Sequence, residues 1–359
     1  MMEYKVYKWS DVLTIINGRN QNAVECEDGE YPIYGSGGVM GKANDYLCPP
    51  NCTIIGRKGN INNPIYVETK FWNVDTAFGL SANEEILNPR YLYYFCVDYN
   101  FERHNKAVTI PSLTKADLLK IEMCLPPLDK QKSIVGELDK INELIRLKKE
   151  QLKDYDNLAQ SIFYEMFGDP VVNEKGWEVK KLGDVCKFTQ GTQVPIEEQH
   201  LSKENGLVQF LRIIDFTQGK DAPRFVKCSN DKYILHEREI AIVRYGTPGF
   251  VCYGKIGAIA NNLFKITPNQ KDMFEFEFLV HWLNTEAFQS AVKSKQYGAA
   301  LQAIKFSTIQ GINIIIPSLT VQRSFATRIS QIDKQKKYIE ESIKDLETLL
   351  ASRMQYWFD

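Results

Sequence analysis

Two long stretches with the apolar spacing of a helix recur 191 residues apart in this chain of 359 residues. LPPLDKQKSIVGELDKI aligns without a gap with IPSLTVQRSFATRISQI, and the same register runs on to Phe167 opposite Phe358. Apolar residues separated alternately by four and three positions, with charged residues between them, are typical of helices that pair along their length. At about 1.5 Å per residue, each stretch predicts a helix roughly 60 Å long, which needs such a partner.

The two stretches define a predicted coiled-coil seam. Lys148 interrupts it in the first copy, and Lys336 and Arg353 interrupt it in the second. Prolines before each stretch mark the predicted helix starts, because proline is tolerated in the first turn of a helix but not in later turns. Two unrelated amphipathic helices, each buried in a separate core, are the alternative. The seam residues are Ile134, Leu138, Ile141, Ile145, Leu152, Tyr155, Ile162, Met166, Phe325, Ile329, Ile332, Ile339, Ile343, Leu346, Leu350 and Trp357.

The residues in front of each helix also match, although more weakly. WSDV precedes Gly18 as LGDV precedes Gly191, and the run TIIGRKG parallels AIVRYG. The second pair of runs predicts a buried strand that ends in a turn carrying an arginine. We therefore expect four parts in the order globular, helical, globular and helical, with the bounds 1–125, 126–168, 169–316 and 317–359.

Length and composition agree with two folded domains. The chain is 44% hydrophobic, which is enough for two ordinary cores. It contains no run of about 18 apolar residues, as a membrane helix requires, and its opening residues lack the pattern of a signal peptide. Eight scattered cysteines read better as reduced core residues than as disulfides in a chain of this size. We expect a cytoplasmic protein that does not bind membranes.

The net charge gives no general attraction to nucleic acid. Basic residues number 44 and acidic residues 45, so the formal net charge is −1. Most nucleic-acid-binding domains carry a clear excess of basic residues. Any binding of DNA must therefore come from the local placement of basic and amide side chains.

The helical motif resembles a known family. PPLDKQKSIVGELDKINELIRLKKEQL, followed by SIFYEMFGD and by GWEVKKLGDV at the start of the next domain, is similar to the specificity subunits of type I restriction-modification systems. The resemblance covers essentially the whole chain. It implies an α+β fold with two mixed α/β target recognition domains, separated by two long antiparallel coiled-coil helices, in a pseudo-twofold internal repeat.

The resemblance also implies a function. Such a subunit has no catalytic activity; its two recognition domains each read one half of an asymmetric bipartite site in double-stranded DNA. It directs adenine-N6 methylation by two methyltransferase subunits and cleavage by restriction and translocase subunits. No cofactor is expected on this chain, because S-adenosylmethionine is bound by the methyltransferase subunit. The paired helices would act as a ruler and as docks for the methyltransferase subunits.

Several motifs mimic catalytic or metal sites without completing them. In YGSGGVMG, Met40 takes the place of the last glycine of a nucleotide-binding loop. CPPN has the prolines of an adenine methyltransferase motif in the wrong order. Cys48 and Cys52 lack the second pair of ligands that a zinc site needs, and Asp169 with Glu178 gives only a faint likeness to a nuclease. We expect no catalytic residues and no metal.

Base reading needs Arg, Lys, Asn or Gln side chains on loops, and phosphate contacts need basic or hydroxyl groups. Arg57 and Arg244 occupy matching places in the two halves. A repeated position fits a phosphate contact better than a base contact, because the two halves of an asymmetric site differ. The DNA-binding candidates are Arg57, Lys58, Asn60, Asn62, Arg103, Asn105, Lys106, Thr109, Arg244, Tyr245, Lys293, Lys295, Tyr297, Gln302 and Lys305.

Two other functional classes stay open at the level of sequence. One is a non-catalytic scaffold whose helices space two domains that bind protein or carbohydrate, and the near-zero net charge is compatible with it. The other is an enzyme of a kind that the motifs do not reveal. Genome-wide mapping of methyladenine would separate both from a DNA-specificity subunit.

Overall fold

A computed structural model describes residues 4–105, 111–217, 221–294 and 303–358. They belong to two compact units. Unit 1 comprises Met1–Glu150 together with Glu340–Asp359, and unit 2 comprises Gln151–Ile339. The first and last parts of the chain therefore share one unit.

In unit 1, short strands and helices precede a long helix. The strands are β1 (Lys5–Lys8), β2 (Leu13–Asn17), β3 (Tyr31–Gly35), β4 (Gly38–Ala43), β5 (Cys52–Gly56), β6 (Ile65–Val67), β7 (Trp72–Asn73), β8 (Ala77–Ala82) and β9 (Glu122–Leu125). The helices are α1 (Trp9–Val12), α2 (Pro89–Asp98), α3 (Lys115–Leu118) and the 3-10 helix Phe101–His104, and the long helix α4 (Leu128–Phe167) begins in this unit.

Unit 2 repeats this order. Its strands are β10 (Glu178–Lys181), β11 (Cys186–Gln190), β12 (Leu207–Leu211), β13 (Arg224–Lys227), β14 (Ile234–Leu235), β15 (Ile240–Val243), β16 (Val251–Cys252), β17 (Gly257–Ile259), β18 (Leu263–Pro268) and β19 (Asn313–Ile316). Its helices are α5 (Leu182–Val185), α6 (Ile213–Thr217), α7 (Phe276–Leu283), α8 (Glu286–Ser294), α9 (Phe306–Gln310) and the 3-10 helices Ile196–Glu198 and Asp231–Tyr233, and the long helix α10 (Leu319–Phe358) begins here.

The sheets of the two units have corresponding strand orders. In unit 1 the orders are β2-β8-β5-β6, β4-β3-β7 and β1-β9; in unit 2 they are β11-β18-β15-β16, β13-β12-β17-β14 and β10-β19. Even the parallel pairing of β3 with β7 recurs, as β12 with β17, among otherwise antiparallel pairs. This correspondence confirms the internal repeat and the mixed helix and sheet fold.

A glycine is required directly after β2 in unit 1 and directly after β11 in unit 2. A Cβ atom on Gly18 would lie 1.8 Å from the carbonyl oxygen of Val74, and one on Gly191 would lie 2.2 Å from that of Ala260. Real Cβ atoms do not approach a backbone oxygen so closely. The chain crosses between sheets at these points, and only glycine fits.

Within each unit, a segment of α4 runs antiparallel to a segment of α10. In unit 1, Arg353 hydrogen bonds to Glu137, and Lys149 Nζ lies 2.9 Å from Glu347 Oε1. The residue numbers of the partners increase along α4 and decrease along α10, so the two segments are antiparallel. In unit 2, Lys336 Nζ donates to Asp156 Oδ1 at 2.6 Å. Hydrophobic packing under these polar pairs supplies most of the stability of such helices.

Burial along the two helices follows the apolar spacing with one shift. Ile134, Leu138, Ile141, Ile145, Phe325, Ile329, Ile332, Ile339 and Ile343 are buried; Leu152, Tyr155, Ile162, Met166, Leu346, Leu350 and Trp357 are half-buried. Towards the helix ends, the buried residues are instead Phe163, Phe167 and Met354. The buried stripe drifts because an α-helix has 3.6 residues per turn and a strict 3,4 spacing assumes 3.5.

A buried glutamine fastens the start of each long helix to its unit. Gln131 Oε1 accepts from the backbone N–H of Asn88 at 2.8 Å, and its Nε2 donates to the carbonyls of Ile86 and Pro126 at 2.9 Å each. Gln322 repeats the arrangement in unit 2 with the N–H of Glu275 and the carbonyls of Met273 and Pro317. Both glutamines are fully buried, so these bonds satisfy groups that water does not reach.

Candidate nucleic-acid interface

Arg57 follows the fully buried strand β5 in unit 1 and is held there by backbone hydrogen bonds. Its N–H donates to the carbonyl of Thr76 at 2.8 Å, and its carbonyl accepts from the N–H of Leu113 at 2.9 Å. Its guanidinium lies over the ring of Phe78, 5.7 Å from the centroid. The strand and these bonds fix where the side chain leaves the backbone.

Arg244 occupies the same place in unit 2. It follows the buried strand β15; its N–H donates to the carbonyl of Asn262 at 2.8 Å, and its carbonyl accepts from the N–H of Ile304 at 2.9 Å. Its guanidinium lies over the ring of Phe264, 5.8 Å from the centroid. The two arginines therefore occupy equivalent positions. Each follows a buried strand, makes two backbone hydrogen bonds at matching positions and lies over a phenylalanine ring.

The structure brings separate candidate segments of unit 1 together. The N–H of Gly59 donates to the carbonyl of Pro111 at 3.0 Å, and the N–H of Phe101 donates to Asn62 Oδ1 at 2.8 Å. The turn after β5 thus adjoins the segments around residues 100 and 112. Among the candidates, Lys58, Asn60 and Arg103 are exposed on this surface.

Two candidate asparagines use their amides inside the loops. Asn62 accepts from Phe101 and donates through Nδ2 to Asn100 Oδ1 at 3.2 Å. Asn105 donates to Glu102 Oε2 at 3.0 Å and accepts from the N–H of Ser112 at 3.1 Å. These bonds close the loops, a role that the residue type alone did not reveal.

The remaining candidates are distributed between unit 2 and parts of the chain that are not described. Lys293 on α8 and Lys305 before α9 are exposed, and Lys305 directly follows the residue that bonds Arg244. The other candidates lie outside the described residues. They are Lys106, Thr109, Lys295, Tyr297 and Gln302.

A chain of hydrogen-bonded amide side chains begins at Tyr245 in unit 2, and none of these amides was among the sequence candidates. Tyr245 Oη donates to Asn261 Oδ1 at 3.3 Å, and Asn261 Nδ2 donates to Gln193 Oε1 at 3.4 Å. Gln190 Nε2 donates to the carbonyl of Asn261 at 2.9 Å. These residues come from distant parts of the chain, so no local motif joins them.

Buried polar atoms beside this group lack partners. Arg244 Nε and Asn262 Oδ1 are inaccessible to water and make no hydrogen bond within the described part of the chain. In unit 1, by contrast, the Arg57 guanidinium donates to the carbonyl of Asp75 at 3.5 Å, and Thr76 replaces the asparagine. The arginine is common to both units, whereas its neighbours differ.

The cysteine pair that resembles half of a zinc site lies in the core of unit 1. Cys48 and Cys52 are buried in the core; burial raises the pKa of the Cys48 thiol and raises that of Cys52 to about 11, so both stay protonated. Cys48 Sγ donates to Asn73 Oδ1. Within the described ranges, no group of three or more His, Cys, Asp or Glu residues could hold a metal ion. No helix there is long and apolar enough to cross a membrane.

Comparison with known proteins identifies the family. Residues 1–154 and 174–348 match the sequence model of the type I restriction modification DNA specificity domain. The chain belongs to this family. The specificity-domain match appears twice, once in each half, in agreement with the repeated topology of the two units.

The curated relatives that this chain resembles are specificity subunits of type I systems. It is 22% identical to the MjaVIII specificity subunit of Methanocaldococcus jannaschii, over 98% of this chain and 92% of that protein. It is 25% identical to the MjaIX specificity subunit of the same organism, over 77% and 68% respectively. It is also 25% identical to a putative type I specificity subunit of Mycoplasma pneumoniae, over 77% and 82%.

Solved structures share the fold. The type I S subunit from M. genitalium superposes with a TM-score of 0.58 at 14% identity, covering 98% of this chain and 95% of that one. A chain from a study of complex assembly and conformational transition in a type I restriction-modification system gives 0.60 at 18% identity, covering 100% and 98%.

Proposed function

We propose that this specificity-family chain reads an asymmetric bipartite DNA site, with one half-site bound by each unit. It directs adenine-N6 methylation by partner methyltransferase subunits and cleavage by partner restriction subunits, without catalysis of its own. The observation that carries the proposal is the equivalence of Arg57 and Arg244. Each makes backbone hydrogen bonds at matching positions and lies over a phenylalanine ring, whereas the side chains around the two arginines differ.

This combination matches what a bipartite reader needs. Phosphates are the same in every half-site, so a repeated arginine suits a phosphate contact. Bases differ between the halves, so the surrounding side chains must differ. Asn261 and Asn262 in unit 2 stand where unit 1 has Asp75 and Thr76, which changes the local donors, acceptors and charge.

Helices α4 and α10 support a second part of the proposal, the docking of two methyltransferase subunits. Leu147 and Tyr338 occupy the same place in α4 and α10 and are 46% and 66% exposed. Leu158 and Leu349 form a second such pair, and each is 46% exposed. Apolar residues exposed at matching positions of two helices suit two copies of one partner.

The test of the central claim is methylation in a cell. The chain is co-expressed with the methyltransferase subunit of its own system, and N6-methyladenine is mapped across the genome. We expect one bipartite motif with a fixed non-specific spacer. Replacing residues 169–316 by those of a relative should change one half of the motif only; a change in both halves, or the lack of any bipartite motif, contradicts the proposal.

Two further experiments test the helices. Removing one heptad from α4 and the matching heptad from α10 should alter the spacer, because we propose that the helices set the distance between half-sites; an unchanged spacer rules this out. Leu147→Glu and Tyr338→Glu should each reduce the number of bound methyltransferase subunits in native mass spectrometry. The exposed Lys153→Glu on α4 is the matched control.

A further inference from the structure

The hairpin of β3 and β4 in unit 1 exposes two consecutive apolar residues near its tip. Val39 is 64% exposed and Met40 is 60% exposed, although both belong to strand β4. They lie in the sequence YGSGGVMG, which does not complete a nucleotide-binding loop. Apolar side chains that stay in contact with water contribute little to the stability of a fold. The exposed pair therefore needs another explanation.

A β-bulge accounts for the exposure of both side chains. Tyr34 lies opposite Val39 and Ile33 lies opposite Gly41, so Met40 has no partner on β3. Successive side chains of a regular strand point to opposite faces, whereas the extra residue of a bulge changes the direction of the side chains beside it. Bulges are frequent next to active sites, where they aim a side chain.

Packing places the hairpin tip beside the turn that carries Arg57. A Cβ atom on Gly35 would lie 2.6 Å from Met40 Sδ and 3.6 Å from Val74 Cγ2, so both side chains lie next to this glycine. The residue that follows Val74 is Asp75, and its carbonyl accepts from the Arg57 guanidinium at 3.5 Å. The apolar pair therefore borders the proposed DNA-binding surface of unit 1.

The corresponding connection in unit 2 also adjoins the repeated arginine. Strands β12 and β13 take the places of β3 and β4 in their sheet, and α6 lies between them in the chain. A Cβ atom on Gly246, two residues after Arg244, would lie 3.5 Å from Ile213 Cδ1 on α6. The two units thus place different segments at the same site, as two unlike half-sites require.

The hairpin suits the major groove of DNA in shape and in charge. Neighbouring strands lie about 4.8 Å apart, and the major groove, about 12 Å wide, admits a two-stranded ribbon. The tip is narrow, because residues 35–38 read Gly-Ser-Gly-Gly. Within the described part of the chain, a Cβ atom on Gly37 would meet nothing within 4 Å, so packing does not require that glycine. Residues 31–41 contain no charged side chain that phosphates would repel.

We propose that Val39 and Met40 contact the methyl group of a thymine in the half-site bound by unit 1, an inference that rests on the function proposed above. The C5-methyl of thymine is the apolar group that the base pairs present in the major groove. Two exposed side chains can cover a methyl group, whereas a stable protein interface buries about 800 Å² on each partner. The size of the apolar pair therefore favours a base contact over a protein dock.

The test compares thymine with deoxyuridine, which lacks the methyl group and keeps the hydrogen-bonding groups. The methylation map supplies the motif, and the replacement of residues 169–316 identifies the half-site that unit 1 binds. Each thymine of that half-site is replaced in turn, and fluorescence anisotropy measures binding by the chain assembled with its methyltransferase subunits. We expect one thymine at which deoxyuridine weakens binding about three- to fivefold, the effect of one buried methyl group.

Serine variants assign this effect to the hairpin. In the double variant Val39→Ser with Met40→Ser, thymine and deoxyuridine should bind equally at that position. The control is Val171→Ser with Val172→Ser, which removes two other consecutive apolar residues, 76% and 71% exposed, and should keep the wild-type preference. Because all four side chains are exposed, both double variants should unfold at the wild-type temperature.

Equal binding of thymine and deoxyuridine by the wild type at every position overturns the inference, as does a unit 1 half-site without a specified A·T pair. A double variant at residues 39 and 40 that keeps the thymine preference, or a control that loses it, also overturns the inference. In each of these cases the bipartite motif is present, so the DNA-specificity proposal stands. A methylation map without a bipartite motif contradicts both proposals.

Discussion

The ring of Phe358 packs against that of Tyr91 in unit 1, with 5.0 Å between centroids. The ring of Phe167 packs in the same manner against Phe278 in unit 2, at 4.8 Å. The similar endings SIFYEMF and SRMQYWF therefore have one structural purpose. Each long helix begins in one unit and ends in the hydrophobic core of the other.

Removing either terminal phenylalanine ring should destabilise the unit that receives it. Phe167 is fully buried, so Phe167→Ala should cost about 3 to 5 kcal/mol in unit 2. Phe358 is half-buried, so Phe358→Ala should cost about 2 kcal/mol in unit 1. Hydrogen exchange should quicken in α7 for the first variant and in α2 for the second. Equal effects of one variant on both helices would contradict the assignment.

The buried glutamines should be costly to remove. Gln131→Ala leaves a backbone N–H and two carbonyls without their buried partner, as does Gln322→Ala in unit 2. An unsatisfied buried group costs about 1 to 3 kcal/mol, so each variant should lose at least about 2 kcal/mol of unfolding free energy. Chemical denaturation measures this loss. Gln151→Ala, an exposed glutamine of α4, should change the free energy by less than about 0.5 kcal/mol.

The two repeated arginines should contribute equally to non-specific DNA affinity, if they bind phosphates as proposed. Arg57→Ala and Arg244→Ala should each reduce the slope of log affinity against log salt concentration by about one, without altering the methylated motif. Fluorescence anisotropy at several salt concentrations gives the slope. Arg146→Ala, which removes an exposed arginine paired with Glu143, should leave it unchanged. A changed motif would make either arginine a base reader.

Acid should destabilise unit 2 through His281. The unfolded chain protonates this residue near pH 6.5, whereas the folded unit does so only near pH 4, because burial and Lys336 oppose the charge. The unfolded state therefore binds more protons in this interval, and stability falls as pH decreases from about 6.5 to about 4, by about 2 to 3 kcal/mol. Glu277 and Asp156 face the same ring and partly offset the effect.

Thermal unfolding measured between pH 7 and pH 4 tests this linkage. His281→Gln should lose less stability on acidification than the wild type over that range. His236→Gln, which alters an exposed histidine of the same unit, should follow the wild-type curve. Parallel curves for His281→Gln and wild type would show that the imidazole is not responsible.

Local patterns in the sequence predicted the elements whose formation depends on residues close together in the chain, namely the long helices and the buried strands. The 3,4 spacing predicted helices over 126–168 and 317–359, and the helices run over Leu128–Phe167 and Leu319–Phe358. The buried run before each arginine predicted the strands β5 and β15. In each case the signal lies within a few consecutive turns or residues, where backbone period and burial are directly linked.

Features that join distant residues could not be read in this way. Gln190 meets Asn261 across 71 positions, and the amides of Asn62 and Asn105 are engaged by loops that the sequence did not bring together. The order of strands in each sheet depends on tertiary packing, as does the division of each long helix between the two units. A polar side chain looks the same in sequence whether it closes a loop or faces a ligand.

The sharing of helix ends has a consequence for synthesis on the ribosome. The core of unit 1 includes Met354, with Leu350 and Phe358 packed against it, yet these residues are translated only after the whole of unit 2. At about 5 to 20 residues per second, the amino-terminal unit waits roughly 10 to 40 s for its missing helix. During that time the apolar residues of unit 1 that pack against Met354 and Phe358 lack this cover, and transiently exposed apolar surface of this kind is what chaperones recognise.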